Sequence, residues 1–232
     1  MTVRNGSAPR SAAKRFVKSE RAALCDVFDQ VGPDHPTLCE GWLTHDLAAH
    51  LWIRETDPIG VSGMVVKPLS GVYERRMAET KQRWPYAELV DRLRHGPTRF
   101  SVFALPGVDE RANTTEFFVH HEDVRRAGES PQPARALDPA VEEWMWRRLK
   151  LLGRALFRRV QVGVVLERLD GGSADGSRPQ SIRAVPGSSI VTLVGMPTEL
   201  LMFANGRTRV AEVKIIGEPA AIDILHAADL RV

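Results

Sequence analysis

The stretch EFFVHHEDVRR, residues 116–126, sets two adjacent histidines and three acids among residues that otherwise look like core. Helical spacing sorts them. Glu116 and His120 are four apart, so both project from one side of a helix, one turn above the other, and Asp123 follows three residues later along the same side. His121 lies about 100° around the axis and groups with Phe117 and Val124, so it cannot readily share a ligand with Glu116. The segment runs without a break from about 111 to 127, and Gly128 fits its C-terminus.

Working outward, the preceding sequence has the same helical character. Residues 12–31 carry Phe16, Ala23, Val27 and Val31 at helical spacing and stop at Gly32-Pro33. In residues 44–56, Thr44 is the expected N-cap and Leu47, Ala48, Leu51 and Trp52 form an apolar stripe. GVYERRMAETKQRW and PYAELVDRLRH predict two further helices separated at Pro85, after a Gly/Pro-broken loop over 57–70. Asp138-Pro139 supplies an N-cap and a first-turn proline for a long helix reaching about Arg159. Its Trp144 and Trp146 are expected to pack.

Beyond Val160 the period changes. VGVVLERL, SIRAVP, SIVTLVG and RVAEVKIIG predict short strands, with PTELLMFANG a helix between two of them and EPAAIDILHAA a closing helix. The fold class expected is α+β. Residues 1–11 are expected as a disordered basic tail, 12–159 as a metal-binding helical bundle of the up-down type with a crossover through the 57–70 loop, and 160–232 as a smaller α/β domain with a mostly antiparallel sheet.

Composition narrows the function classes. The 232 residues are 43% hydrophobic and 26% charged, and no apolar run approaches the roughly 18 residues of a membrane helix. The polar, basic N-terminus lacks the apolar segment of a secretory signal, so the expected location is cytoplasmic. Cys25 and Cys39 match no disulfide framework or paired zinc motif and are expected as reduced thiols. A net charge of +3 without a basic stripe does not argue for nucleic acid.

In the second helix, His50 falls among Leu47, Leu51 and Trp52 on the face expected to turn inward. If that helix faces residues 111–127, His50, Glu116 and His120 converge as two imidazoles and a carboxylate, a set suited to zinc or another divalent transition metal with one position open. The alternative is a histidine hydrogen-bonded within the core and a solvated Glu116. Asp46 reads as a first-turn helix acid or as a partner of a ligand histidine, with the helix acid preferred. Cys39 reads as a small buried apolar side chain, because a fourth protein ligand would close the site.

Taken together, PTLCEGW and DLAAHL in the early helix, EFFVHHEDVRRA in the later one and ELLMFANGR in the strand-rich tail resemble the actinobacterial mycothiol-dependent maleylpyruvate isomerase family of the DinB-like superfamily. The nearest likeness is to an uncharacterised metal-binding subgroup. The resemblance covers nearly the whole chain. It implies a DinB-like four-helix bundle holding a divalent metal, zinc expected, through His50, Glu116 and His120, followed by a sterol-carrier-like α/β domain. It also implies mycothiol as cosubstrate, its thiol activated by the metal for isomerisation of, or transfer to, an electrophilic substrate. Arg207 matches a position where relatives carry a Gly-Arg pair, and can contact a substrate carboxylate or remain a solvated turn residue. The doubled His120-His121 and the 57–70 loop depart from the isomerase pattern, which leaves the substrate open. A non-catalytic metal-containing or apolar-ligand-binding protein is the alternative function.

Overall fold

A computed structural model describes residues 7–60, 70–96, 108–169 and 180–230, with side chains described from residue 13 in the first span and 113 in the third. The chain is mixed helix and sheet and divides into two compact units, Arg10–Pro133 and a second consisting mainly of Ala134–Val232. No described helix is long and apolar enough to cross a membrane.

Among its described residues the first unit is helical: α1 (Ser7–Val31), α2 (Thr44–Thr56), α3 (Ser70–Arg83), α4 (Tyr86–His95) and α5 (Val108–Arg125). Val17, Leu24 and Phe28 of α1, Leu47, Ala48 and Leu51 of α2, Leu89 and Leu93 of α4, and Phe117 and Val124 of α5 form one buried cluster. Burial of a large apolar side chain stabilises by about 1.5–3 kcal/mol, so this cluster fixes the faces that α2 and α5 turn inward. Gly32 ends α1 at φ +79°, its amide donating to the Phe28 carbonyl at 3.0 Å, and Gly128 follows α5 at φ +82°. Both sit where a side chain would be strained, as the sequence suggests.

Two details differ from the sequence reading. Helix α1 begins at Ser7, inside the expected tail, while residues 1–6 lie outside those described. Thr44 is the first residue of α2 rather than its cap. Its hydroxyl turns back to the Gly32 carbonyl at 2.5 Å, and the free N-terminal amide of Leu43 is taken by Asp46 at 3.0 Å. Asp46 also pairs with Lys81 at 2.6 Å, so it serves helix and surface rather than a ligand. Most of the 57–70 loop lies outside the described residues.

The second unit contains α6 (Pro139–Leu156), β1 (Gly163–Arg168), β2 (Ser181–Val185), β3 (Ile190–Gly195), α7 (Pro197–Ala204), β4 (Lys214–Ile216) and α8 (Pro219–Ala227). Strand order is β2-β1-β3-β4. The β1/β2 and β3/β4 pairs are antiparallel, whereas β1/β3 is parallel, with Val164 opposite Val191 and Leu166 opposite Leu193. The sheet is therefore mixed, and β4 spans three residues because 207–211 form turns on the α7 C-terminus.

The division expected at 159/160 falls instead at 133/134. Helix α6 packs against α7 and β2. Glu142 accepts from Thr198 N at 3.0 Å and Thr198 Oγ1 at 2.9 Å, supplying from α6 the cap that Met196 cannot give α7. Arg168 of β1 donates to Glu143 at 2.7 Å and lies over the buried Trp146 ring. Trp144 and Trp146 thus pack as expected, but with this sheet.

Candidate metal centre

Within the helical unit, α2 carries His50 and Arg54 one turn apart and α5 carries Glu116, His120 and Asp123 at spacings of four and three. His50 Nε2 lies 3.1 Å from Glu116 Oε1, and His120 Nε2 lies 3.2 Å from the same oxygen. The two imidazoles meet edge to face with centroids 5.1 Å apart. Their ligand atoms and that of Glu116 all lie within 4.8 Å of one another. Zinc bonds of about 2.0–2.2 Å at tetrahedral angles space ligand atoms roughly 3.3–3.5 Å apart, so the donor set fits a divalent ion with little movement. Burial is graded: His50 and His120 side chains are 7% and 10% exposed, Glu116 25%.

The outward nitrogens are also held. His120 Nδ1 donates to Asp123 Oδ2 at 2.8 Å, and Asp123 is fully buried. His50 Nδ1 bonds the Tyr73 hydroxyl of α3 at 2.8 Å, and the Trp42 ring packs against His50 at 5.2 Å between centroids. Such partners orient ligand rings and select the nitrogen that faces a metal. The two differ chemically. A carboxylate only accepts, whereas a phenol donates or accepts, so His50 can carry its proton on either nitrogen while His120 must keep one on Nδ1.

Electrostatics follow from this packing. Burial opposes ionisation of Glu116, but Arg54, whose Nε is 3.2 Å from Oε1, and the two histidines outweigh it and hold the carboxyl well below its usual range. Burial likewise opposes charging of His120, yet Asp123, Cys39 and Glu116 raise it well above an ordinary histidine. Burial pushes His50 down. In the metal-free site these directions favour charge on His120 and Glu116 and a neutral His50.

The rest of residues 116–126 is accounted for by other partners. His121 turns away and bonds Glu20 of α1 at 2.9 Å, both buried. Glu122 pairs with Arg125 at 2.7 Å and Arg126 at 2.5 Å. Cys39 differs from the expected apolar role: it is half-buried, its Sγ donating to Asp123 Oδ2 at 3.3 Å and lying 3.9 Å from His120 Nδ1. It also forms, with His120 and Asp123, a second cluster of metal-compatible atoms. The chain on either side is tied down, Leu38 N donating to the Asp123 carbonyl at 3.0 Å.

The structure brings His50, Glu116 and His120 together. Arg207 lies in the other unit, where its Nη1 donates to the Asn205 carbonyl at 2.6 Å just beyond α7. Tyr73, Arg54 and the Cys39 contact were missed by sequence reasoning. Arg54 had a signal, four residues after His50 on one helix face. Tyr73 and Cys39 reach the site from other segments, and no local spacing marks them. Comparison with protein-family models, curated proteins and solved structures finds no match.

Proposed function

We propose that the chain is a divalent-metal enzyme, with zinc the ion expected, that uses the small-molecule thiol mycothiol to isomerise or S-transfer to an electrophilic substrate. In this reading the helical unit is a DinB-like bundle and the second unit a sterol-carrier-like domain. The observation that carries it is the convergence of His50 Nε2, His120 Nε2 and Glu116 Oε1 with both outward nitrogens occupied. A divalent cation with an open coordination position supplies charge that keeps a thiol sulfur ionised near neutral pH.

The chain's own residues do the positioning. Asp123 keeps a proton on His120 Nδ1, freeing Nε2 to ligate, and Tyr73 accepts the His50 proton when that ring ligates through Nε2. Cys39 faces the Nδ1 edge of His120, away from the ligand edge, which supports a cosubstrate rather than Cys39 as the source of the nucleophilic sulfur.

Metal analysis of purified protein, followed by mycothiol consumption with a panel of electrophiles, tests this. His120→Ala should lose zinc and thiol-dependent turnover together, whereas His121→Ala should keep zinc and Cys39→Ala should keep turnover. A zinc-loaded wild-type chain that consumes no thiol with any electrophile, or a Cys39→Ala variant that holds zinc but is inert, rules out the cosubstrate mechanism.

A further inference from the structure

Arg54 contacts the site in a way that Asp123 and Tyr73 do not. Those two bond nitrogens that point away from the ligand cluster. Arg54 Nε instead sits 3.2 Å from Glu116 Oε1, the oxygen on which both histidine Nε2 atoms also converge. Behind it runs a ladder of polar side chains. Arg54 Nη1 donates to Asn113 Oδ1, and Asn113 Nδ2 donates to Glu55 Oε1 at 2.6 Å. Glu55 is held by two Arg21 nitrogens at 2.5 and 2.6 Å, and Arg21 Nη1 also reaches the Leu93 carbonyl at 3.1 Å. Asn113, Glu55 and Arg21 are buried, so the guanidinium of Arg54 is anchored from its far side.

This geometry puts two cationic demands on one oxygen. With no metal bound, Arg54 shares with His50 and His120 the stabilisation of a carboxylate whose side chain is 25% exposed. A divalent ion on Glu116 would face a fixed positive charge across the same atom. Even screened as in bulk water, repulsion at such contact distances is worth roughly tenfold in affinity, and more at the lower effective dielectric of a protein.

We propose that Arg54 is the site's internal counter-ion: it stabilises Glu116 in the metal-free chain and lowers metal affinity below what the three ligands alone would give. This rests on the reading of His50, Glu116 and His120 as ligands. Arg54 is a positioning residue, and its removal separates two quantities that a plain structural role would move together. The metal-free protein becomes less stable while zinc binds more tightly.

The test is zinc competition titration against a chromophoric chelator, with thermal unfolding in the chelator alone, for wild type, Arg54→Met, Arg54→Gln and Arg54→Lys. Arg54→Met and Arg54→Gln should melt lower without metal and bind zinc about tenfold or more tightly. Arg54→Lys, which keeps the charge, should stay near wild type. Arg54→Gln keeps a hydrogen-bond donor and decides the matter if Arg54→Met does not fold. Wild type that binds zinc, with neutral variants binding it equally or more weakly, overturns the counter-ion role and leaves the ligand set standing. Wild type that takes up no zinc overturns the ligand reading itself.

Discussion

Asp123→Asn probes the link between packing and metal affinity most directly. The carboxylate oxygen Oδ2 accepts from His120 Nδ1 at 2.8 Å and from Cys39 Sγ at 3.3 Å, with the side chain fully buried. Asparagine is nearly isosteric, so the core around it should survive. What changes is the charge-assisted bond, worth about 1.5–3 kcal/mol, which becomes a neutral one worth about 0.5–1.5. The difference of about 1–2 kcal/mol corresponds to roughly 5–30-fold in equilibrium constant. The amide can also turn its NH2 toward Nδ1, which would force the proton to Nε2 and block ligation. Above the raised His120 value, where no proton competes, zinc affinity should fall by about that factor; at lower pH the loss of Asp123 also removes a contact that raises His120 and offsets part of the fall. The assay is chelator competition at several pH values, with circular dichroism melting to confirm the fold. A folded variant with affinity within about twofold of wild type would refute the orienting role of Asp123.

Three other outcomes follow from described contacts. Glu55→Gln leaves the Arg21 guanidinium buried without its carboxylate and should cost about 3–5 kcal/mol by urea unfolding; Arg21→Met added to it should recover part of the loss, and a single-variant cost under about 1 kcal/mol would mean that the pair is not coupled. Burial pushes the Cys25 thiol up to about 12, while Cys39 is half-buried, so a thiol reagent should modify one cysteine in the native chain and two in denaturant; two fast native thiols would contradict this packing. Because His120 is raised well above its ordinary value, the metal-free ring is charged near neutral pH and zinc must displace its Nε2 proton, whereas neutral His50 only moves its proton to Nδ1. One proton should be released per zinc, so affinity should rise about tenfold per pH unit until pH exceeds the raised His120 value and then level off; a flat profile below that point would contradict the assignment of charges. By the same sign, the stability that His120 contributes to the metal-free protein is full below the unfolded histidine range and is lost as pH rises through the folded value.

Local spacing carries much of the helical unit and the convergence of His50, Glu116 and His120, because each lies on a helix face that periodicity defines. The i+3 position of Asp123 was equally legible. Periodicity says that one face of α6 is buried but not what buries it, so the same pattern fits a bundle helix and a helix packed on the sheet. The Thr44 hydroxyl suits a cap, but its bond to the Gly32 carbonyl wins. Tyr73, Cys39 and the ladder through Asn113 depend on contacts between segments 23 to 81 residues apart, which no window along the chain contains.

The capping of α7 by Glu142 bears on how the second unit assembles. Its acceptor comes from 56 residues earlier in the chain, so the first turn of α7 has its amide and Thr198 hydroxyl satisfied only once α6 has docked. Formation of that helix end is tied to a non-local event, of the kind that slows folding and makes it cooperative. Trp146 under Arg168 ties β1 to the same helix. A fragment beginning at residue 160 would therefore contain every described strand yet lack both tethers, and should emerge as a loosely packed, aggregation-prone chain, while one beginning at residue 134 keeps both.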